Sequence, residues 1–312
     1  MLSIQKRSQE YNVGYCFVMP LFCSFFMQVI VNGHLASNNA INKSYKSYYV
    51  RIKIAEKRLQ ITEGRKKRVA RTKAVITDYI GTLVNANYYN MDASKRTLHK
   101  MLVEVGFETS LEEFLEAYTQ AHEKYRVVRY EQLREVTNAV WICEALNNLG
   151  CAVSLEDSRI KIALNVFFQR YVESLELRSY AKKLLRRIKE HCKLGLVSNF
   201  TYAPVVYASL RKLDVNHFFD AVLVSDENGW RKPHARIFQD ALGKLRVNAE
   251  EAVFIGDSPL EDIEGAQAAG IKTVFVSSQF FSLEDLCKSG QKTDFVAQGL
   301  DEIHRDFLKI IR

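Results

Sequence analysis

The chain has 312 residues, of which 47% are apolar and 26% are charged, enough for one large domain or two moderate ones with real cores. Four prolines and fourteen glycines exclude a collagen-like or Pro/Gly-rich disordered chain. Six cysteines without metal-ligand spacing exclude a small disulfide scaffold and favour free thiols in a reducing compartment.

The positive charge is concentrated in the first 73 residues. This N-terminal extension carries 14 Lys and Arg residues against three acidic ones, a net charge of +11, whereas the remaining 239 residues have a net charge of −3. The formal net charge of +8 therefore belongs to the extension and not to the body of the protein. A basic footprint for nucleic acid is missing from the body, and we predict no nucleic-acid partner.

The extension contains an apolar run at 13–31, close to the span of about 20 residues that crosses a bilayer. Basic residues on its C-terminal side predict a cytoplasmic body under the positive-inside rule. Three interpretations stay open: a membrane anchor, a cleaved signal peptide with Lys6 and Arg7 in its positively charged n-region, and a start site placed too far upstream. The basic segment that follows favours anionic lipid, which extends the predicted membrane contact over residues 13–73.

The body begins with a buried-strand pattern at 74–77, and residues from about 93 to 190 show the apolar spacing of helices. After that, strand and helix patterns alternate. We predict strand 194–197, helix 205–213, strand 221–224, helix 235–244, strand 252–255, helix 260–269 and strand 273–276. The alternation predicts an α/β fold, with a Rossmann-like parallel sheet, helices on both faces and a helical insert after the first strand.

Polar side chains follow four of these strands, at the edge where open α/β sheets hold their functional groups. They are Asp78, Ser198 with Asn199, Lys232 and Asp257. Two carboxylates can hold Mg²⁺, and one of them can serve as a nucleophile. A hydroxyl and an ammonium group can bind and neutralise phosphate oxygens. The set is suited to phosphoryl transfer.

The same positions lie in four motifs that resemble those of the haloacid dehalogenase (HAD) superfamily of hydrolases. In order, they are Thr77-Asp78-Tyr79-Ile80-Gly81-Thr82-Leu83, Leu196-Val197-Ser198-Asn199, Lys232-Pro233 and Gly256-Asp257-Ser258-Pro259-Leu260-Glu261-Asp262-Ile263. The resemblance covers residues 74–280 and leaves the extension, residues 1–73, unexplained. It implies a core made of 74–90 and 180–312, with a helical cap of the family's first class (C1) at 91–179.

The resemblance also implies roles for single residues. Asp78 would attack phosphorus to form an aspartyl-phosphate, while Ser198 and Lys232 hold the phosphate oxygens. Mg²⁺ would be bound by Asp78, the main-chain carbonyl of Ile80 and Asp257, with Asp262 supporting this ligand set. The substrate would be a small phosphorylated metabolite. We predict that the substrate-binding residues are Thr82, Asn199 and Tyr88, and that cations of the cap could meet an anionic substrate, namely Lys124, Arg126 and Arg129. Arg231 is expected to be a solvated surface residue.

Ile80 departs from the phosphatase pattern, because the phosphatases of the family place a second aspartate there to protonate the leaving group and then activate water. Losing such a group costs about 10²–10⁴-fold in rate. The chain could therefore be a Mg²⁺-dependent phosphatase that is slow or limited to activated phosphates, which is the function we expect. It could also be a metal-independent dehalogenase-like hydrolase, although Asp257 argues against this, or a non-catalytic relative that binds phosphate or a protein.

Overall fold

The computed structural model describes residues 71–312. The predicted membrane segment at 13–31 and all but the last three residues of the basic extension lie outside this range. Within residues 71–312, no helix combines the length and the apolar character needed to cross a bilayer.

Short strands build the sheets of the described region. Their bounds are β1 Ala74–Thr77, β2 Val84–Ala86, β3 Leu175–Leu177, β4 Lys193–Ser198, β5 Ala221–Val224, β6 Ala252–Gly256, β7 Lys272–Val276 and β8 Phe295–Ala297. Six of them form one parallel sheet in the order β5-β4-β1-β6-β7-β8. β2 and β3 form a separate antiparallel pair, which we call the β2–β3 ribbon. The parallel sheet confirms the predicted α/β fold.

Helices connect the strands. Their bounds are α1 Met91–Glu104, α2 Leu111–Lys124, α3 Asn138–Asn148, α4 Ser158–Ser174, α5 Ala181–Lys189, α6 Ala203–Lys212, α7 Ser225–Asn228, α8 Ala235–Leu245, α9 Gly265–Ala268, α10 Leu283–Ser289 and α11 Leu300–Ile310. Local caps fix where several begin: the Asn90 side chain accepts the Ala93 N–H at α1, and Ser110 accepts the Glu113 N–H at α2.

Alternate residues of β1 face opposite sides of the sheet, as the period of two in a strand requires. Val75 packs into the core that α5, α6 and α11 cover. Its neighbours Ala74 and Ile76 pack into the core that α8 and α9 cover on the other face. All four residues of β1 are buried, so the strand that precedes Asp78 lies in the interior of the sheet. Helices thus cover both faces, as predicted.

The insert between the first and second motifs is built around a hydrophobic cluster that extends to Val205 of α6. α1 packs on α4, and α2 packs on α3. Their shared core contains large buried side chains such as Leu98, Phe114, Trp141 and Phe167. The chain leaves the sheet through β2 and returns through β3, so the β2–β3 ribbon carries both connections.

Two local predictions differ from the structure. The helix expected at 260–269 begins as a π-helical turn, Pro259–Glu264, and only α9 is α-helical. The strands β2, β3 and β8 were not predicted, because three residues are too few for a period of two to be recognised. In contrast, α11 buries residues at helical spacing and was predictable: Leu300, Ile303, Phe307 and Ile310.

Candidate active site

Lys232 joins two carboxylates at the carboxyl edge of the sheet. The residue is 1% exposed, and its Nζ donates to Oδ1 of Asp78 and to Oδ1 of Asp262, both at 2.6 Å, and to the Val197 carbonyl at 3.1 Å. Burial alone would lower the pKa of Lys232, but the charges of Asp262 and Asp78 outweigh it and raise that pKa. Lys232 is therefore a charged, fully hydrogen-bonded ammonium group, and not a solvated lysine.

Asp78, Asp257 and Asp262 form a cluster of buried carboxylates, each with one oxygen within 4.8 Å of the others. Burial, together with the charges of Asp78 and Asp262, raises the pKa of Asp257 well above its ordinary value. Burial also raises the pKa of Asp262, to about 6, although Lys232 opposes the change. Three carboxylates and one ammonium group leave an excess of negative charge that a divalent cation would balance. Hard oxygen donors are the ligands that Mg²⁺ prefers, so these residues fit Mg²⁺.

Adjacent strands place the carboxylates together. β1 pairs with β6 so that Thr77 lies opposite Ile255, and the Asp78 N–H donates to the Ile255 carbonyl at 2.9 Å. Asp257 follows the end of β6, one strand away from Asp78. The expected meeting of these two side chains thus follows from the parallel register.

Two glycines allow the backbone to pass close to the carboxylates. Gly81 has φ +100°, and a Cβ atom added there would collide with the carboxylate of Asp257. A Cβ atom added at Gly256 would collide with Asp262. At Gly81, both the positive φ and the contact exclude a side chain, which explains this residue type after the nucleophile candidate.

Hydroxyl and main-chain donors fix both oxygens of Asp257 and the second oxygen of Asp262. Thr82 Oγ1 donates to Asp257 Oδ1 at 2.9 Å, and Ser278 Oγ donates to Asp257 Oδ2 at 2.6 Å. Asp262 Oδ2 accepts the N–H groups of Asp257 and Ser258 at 3.0 and 2.9 Å. Both aspartates are therefore held in one orientation before any ligand binds.

The structure places the other predicted site residues in different surroundings. Ser198 is buried at the end of β4, near the lysine. Asn199 clamps the lysine backbone, since its Nδ2 donates to the Lys232 carbonyl at 2.9 Å and its Oδ1 accepts the Lys232 N–H at 2.8 Å. Tyr88 is 100% exposed, and the structure does not bring its side chain to the carboxylates. Ile80 lies in the turn after Asp78, with its half-buried side chain packed against the sheet core.

The prediction for Arg231 is wrong, because the residue is 4% exposed. Its Nη1 contacts both oxygens of the buried Glu135, at 3.2 and 3.1 Å, and its Nη2 contacts Glu261 at 3.2 Å. Glu135 also accepts from Arg129 Nε at 2.9 Å and from Ser225 Oγ at 2.5 Å. Burial raises the pKa of Glu135, but the charges of Arg231 and Arg129 outweigh it and lower that pKa.

The cations proposed to meet the substrate are engaged in ion pairs. Arg129 contacts Glu135, Lys124 contacts Glu144 at 2.8 Å, and Arg126 contacts Glu123 at 3.3 Å. The aromatic residue Tyr171 lies within electrostatic reach of Asp78. The Tyr171 ring packs against Tyr89 at 4.7 Å and against Phe200 at 5.6 Å between centroids. Burial, the neighbouring tyrosines and the charge of Asp78 raise the pKa of Tyr171, so its hydroxyl stays protonated.

Sequence reasoning missed two polar residues beside Asp257. Ser278 lies just past the end of β7, so the rule that selected the other strand-end residues could have found it. Arg178 follows β3 and donates to main-chain carbonyls of the first motif. No motif or spacing pointed to it, because its partners are about 100 positions away in the chain.

Comparison with known proteins finds several relatives named as phosphatases. A chain from Methanothermobacter thermautotrophicus, named glyceraldehyde 3-phosphate phosphatase, is 29% identical over 217 residues, which cover 68% of this chain and 88% of the relative. A chain of the same name from Pyrococcus furiosus is 27% identical over 240 residues, covering 75% and 92%. A ribulose-1,5-bisphosphate 5-phosphatase from Halopiger xanaduensis is 27% identical over 208 residues, covering 64% and 83%.

A solved structure shares the fold. The 2-haloacid dehalogenase from Pseudomonas syringae superposes with a TM-score of 0.53 at 19% identity, covering 76% of this chain and 99% of that one. The family model described as haloacid dehalogenase-like hydrolase matches residues 72–270. The resemblance read from the four motifs is therefore confirmed, and the chain belongs to the haloacid dehalogenase-like hydrolase family.

Proposed function

We propose that this protein is a Mg²⁺-dependent phosphatase that hydrolyses a small phosphorylated metabolite through an aspartyl-phosphate on Asp78. The observation that carries the proposal is the cluster of Asp78, Asp257 and Asp262 around one buried lysine. The names of the curated relatives, which are phosphatases of small phosphorylated compounds, support it. The excess of buried negative charge favours a metal-dependent reaction over a metal-independent one.

Asp78 has one oxygen held and one available. Lys232 holds Oδ1, whereas Oδ2 accepts no hydrogen bond from any residue in the range 71–312. In the proposed first step, Oδ2 forms a bond to phosphorus while the bond from phosphorus to the leaving oxygen breaks. Ser198 binds a phosphate oxygen through its hydroxyl, and Lys232, whose N–H groups are held by Asp78, Asp262 and Val197, stabilises the phosphate charge through its own positive charge. Water then attacks phosphorus, which releases phosphate and restores the Asp78 carboxylate.

The metal would be held by Asp78, the main-chain carbonyl of Ile80 and Asp257, with Asp262 as support. When bound, Mg²⁺ supplies positive charge to the phosphate oxygens and balances the buried carboxylates. The hydrogen bonds from Thr82 and Ser278 leave Asp257 in a fixed orientation for that role. The chain contributes a preformed ligand set.

Ile80 sets the expected substrate range. Its hydrocarbon side chain cannot give a proton to the departing oxygen, which must take one from water. The missing acid and base raise the barrier by about 3–5 kcal/mol for a leaving group that needs protonation. Acyl and aryl phosphates need little protonation, so the enzyme should prefer them to alkyl phosphates.

We also propose the division predicted from the sequence: residues 91–179 act as a cap over a core formed by 74–90 and 180–312. The hydrophobic cluster that α1–α4 build together and the two connections through the β2–β3 ribbon support this division. A closed cap would exclude water during the first step. The rings of Tyr171, Tyr89 and Phe200 would then lie on the substrate side of Asp78.

The test uses the full chain. Phosphate release from p-nitrophenyl phosphate and acetyl phosphate, and chloride release from 2-chloropropionate, are measured with Mg²⁺ and with EDTA. Phosphate release that EDTA abolishes is expected. Chloride release that EDTA does not inhibit would show a dehalogenase. Absence of turnover on all three substrates would favour a binding protein.

The nucleophile is tested by Asp78→Asn, which removes the attacking oxygen's charge and keeps the shape. Turnover should fall to the background rate, because the aspartyl-phosphate cannot form. Asp301→Asn, on the exposed surface of α11, is the matched control and should keep full activity. Activity retained by Asp78→Asn would refute the proposed nucleophile.

A further inference from the structure

Arg178 is a half-buried arginine that donates to three main-chain carbonyls. Its Nη1 donates to Gly81 at 2.6 Å and to Thr82 at 3.1 Å, and its Nη2 donates to Ser277 at 2.5 Å. Gly81 and Thr82 belong to the turn after Asp78, and Ser277 belongs to the loop after β7. One guanidinium group therefore ties together two loops that come from different strands.

Both of these loops hold Asp257. Thr82 Oγ1 donates to one carboxylate oxygen of Asp257, at 2.9 Å. Ser278, the residue after Ser277, donates its hydroxyl to the other oxygen at 2.6 Å. Burial lowers the pKa of Arg178, and the charge of Asp257 partly offsets this, which places the two groups within electrostatic reach.

We propose that Arg178 is a positioning residue for the proposed reaction: it fixes the separation of the Thr82 turn and the Ser278 loop, and so orients both oxygens of Asp257 for Mg²⁺. This inference rests on the proposed function. The shape of the guanidinium group suits the task, because its two terminal nitrogens reach carbonyls on opposite sides. A lysine offers a single nitrogen and cannot span them.

The place of Arg178 in the chain adds a link to the helical insert. The Arg178 N–H donates to the Leu83 carbonyl at 2.9 Å, and the preceding residue, Leu177, pairs with Val84. The arginine is thus carried by the β2–β3 ribbon, through which the chain returns from the insert. The same ribbon that supports the insert holds the loops around Asp257.

The test compares Arg178 with Lys212, a second cation that donates to three main-chain carbonyls but at a different place, the segment that leads into β3. The Nζ of Lys212 donates to the carbonyls of Val172, Glu173 and Leu175, at 2.9, 2.7 and 3.2 Å, and touches neither loop of Asp257. Arg178→Ala, Arg178→Lys and Lys212→Ala are made in the full chain. Mg²⁺ binding is measured by titration calorimetry with the metal alone, and Mg²⁺ half-saturation is measured with p-nitrophenyl phosphate.

Arg178→Ala should weaken Mg²⁺ binding by about 10–100-fold, the usual effect of removing a residue that orients a metal ligand. Non-denaturing concentrations of guanidinium chloride should restore part of that affinity, because the free ion can occupy the vacated position. Arg178→Lys should recover less than half of the loss on a logarithmic scale. Lys212→Ala should lower the melting temperature without changing Mg²⁺ binding.

Three results would overturn the inference. These are unchanged Mg²⁺ affinity in Arg178→Ala, equal Mg²⁺ affinities in the Arg178 and Lys212 variants, and no response to guanidinium. Circular dichroism shows whether each variant folds. If Arg178→Ala does not fold, the comparison is made with Arg178→Lys instead. If the wild-type chain binds Mg²⁺ but hydrolyses no phosphate, the proposed function is refuted. The calorimetry still tests the role of Arg178 in that case. A wild-type chain that binds no Mg²⁺ overturns both.

Discussion

Metal-free protein should become more stable as the pH falls from 7.5 to 5. The reason is Asp262, whose pKa is about 6 in the folded chain against an ordinary value of 3.8. The folded state takes up this proton more readily than the unfolded state. Protonation of Asp262 therefore contributes to the free energy of unfolding. This contribution is fully present below pH 3.8 and is lost as the pH rises through 6.

The size of the effect follows from the two pKa values of Asp262. Their difference corresponds to about 3 kcal/mol of unfolding free energy over the whole range, of which about 1 kcal/mol falls between pH 7.5 and 5. Asp257 adds to the effect in the same direction, because its pKa is also raised. Glu135 has a lowered pKa, so its stabilising charge is lost only below its ordinary value of 4.5. The chosen window avoids that loss.

Urea denaturation of the full chain in EDTA, at pH 7.5 and at pH 5, measures the effect. Added Mg²⁺ should stabilise the protein more at pH 7.5, because the metal competes with protons for the same carboxylates. Asp262→Asn is the control and should gain less stability at pH 5 than the wild type, because only the contribution of Asp257 remains. Equal pH dependence in the wild type and in Asp262→Asn, or lower wild-type stability at pH 5, would refute the reasoning.

Two further substitutions test the site and its surroundings. Ile80→Asp should raise kcat/KM for alkyl phosphates by about 10²–10⁴-fold, with a smaller gain for p-nitrophenyl phosphate; an equal gain for both would contradict the leaving-group argument. Glu135→Ala leaves Arg129 and Arg231 buried without their shared carboxylate, and should cost about 3–5 kcal/mol in urea denaturation. A loss below about 1 kcal/mol would show that water replaces the carboxylate.

The sequence predicts that Asp78 and Asp257 lie together, with Asp262 in the turn that follows, because the order of the strands places them there. The carboxyl ends of parallel strands lie at one edge of the sheet. Residues that directly follow neighbouring strands therefore lie close together, independent of the length and sequence of the loops. Lys232 lies eight positions after the end of β5, and the charges of Asp78 and Asp262 stabilise its side chain at the site. The catalytic and metal-binding roles, the cap boundaries and the function of the extension stay predictions.

Other contacts could not be predicted because they depend on partners distant in the chain. Arg231 resembles a surface residue in a basic dipeptide, but the carboxylates of Glu135, 96 positions earlier, and Glu261, 30 positions later, make its burial favourable. Thr82 and Asn199 were assigned to the substrate, yet their side chains bind protein groups in this structure. A polar residue at a strand end can serve a ligand or a neighbouring side chain, and its residue type does not distinguish the two.

The strand that carries Asp78 has another strand on each side, with β4 and then β5 in one direction and β6, β7 and β8 in the other. The strand that precedes Asp78, β1, is therefore not an edge strand of the sheet. New segments added beside β5 or β8 would leave the pairing of β1, β4 and β6 intact. Such a layout allows the protein to diversify at its periphery, and to acquire partners or extra domains there, while its reactive centre is inherited unchanged.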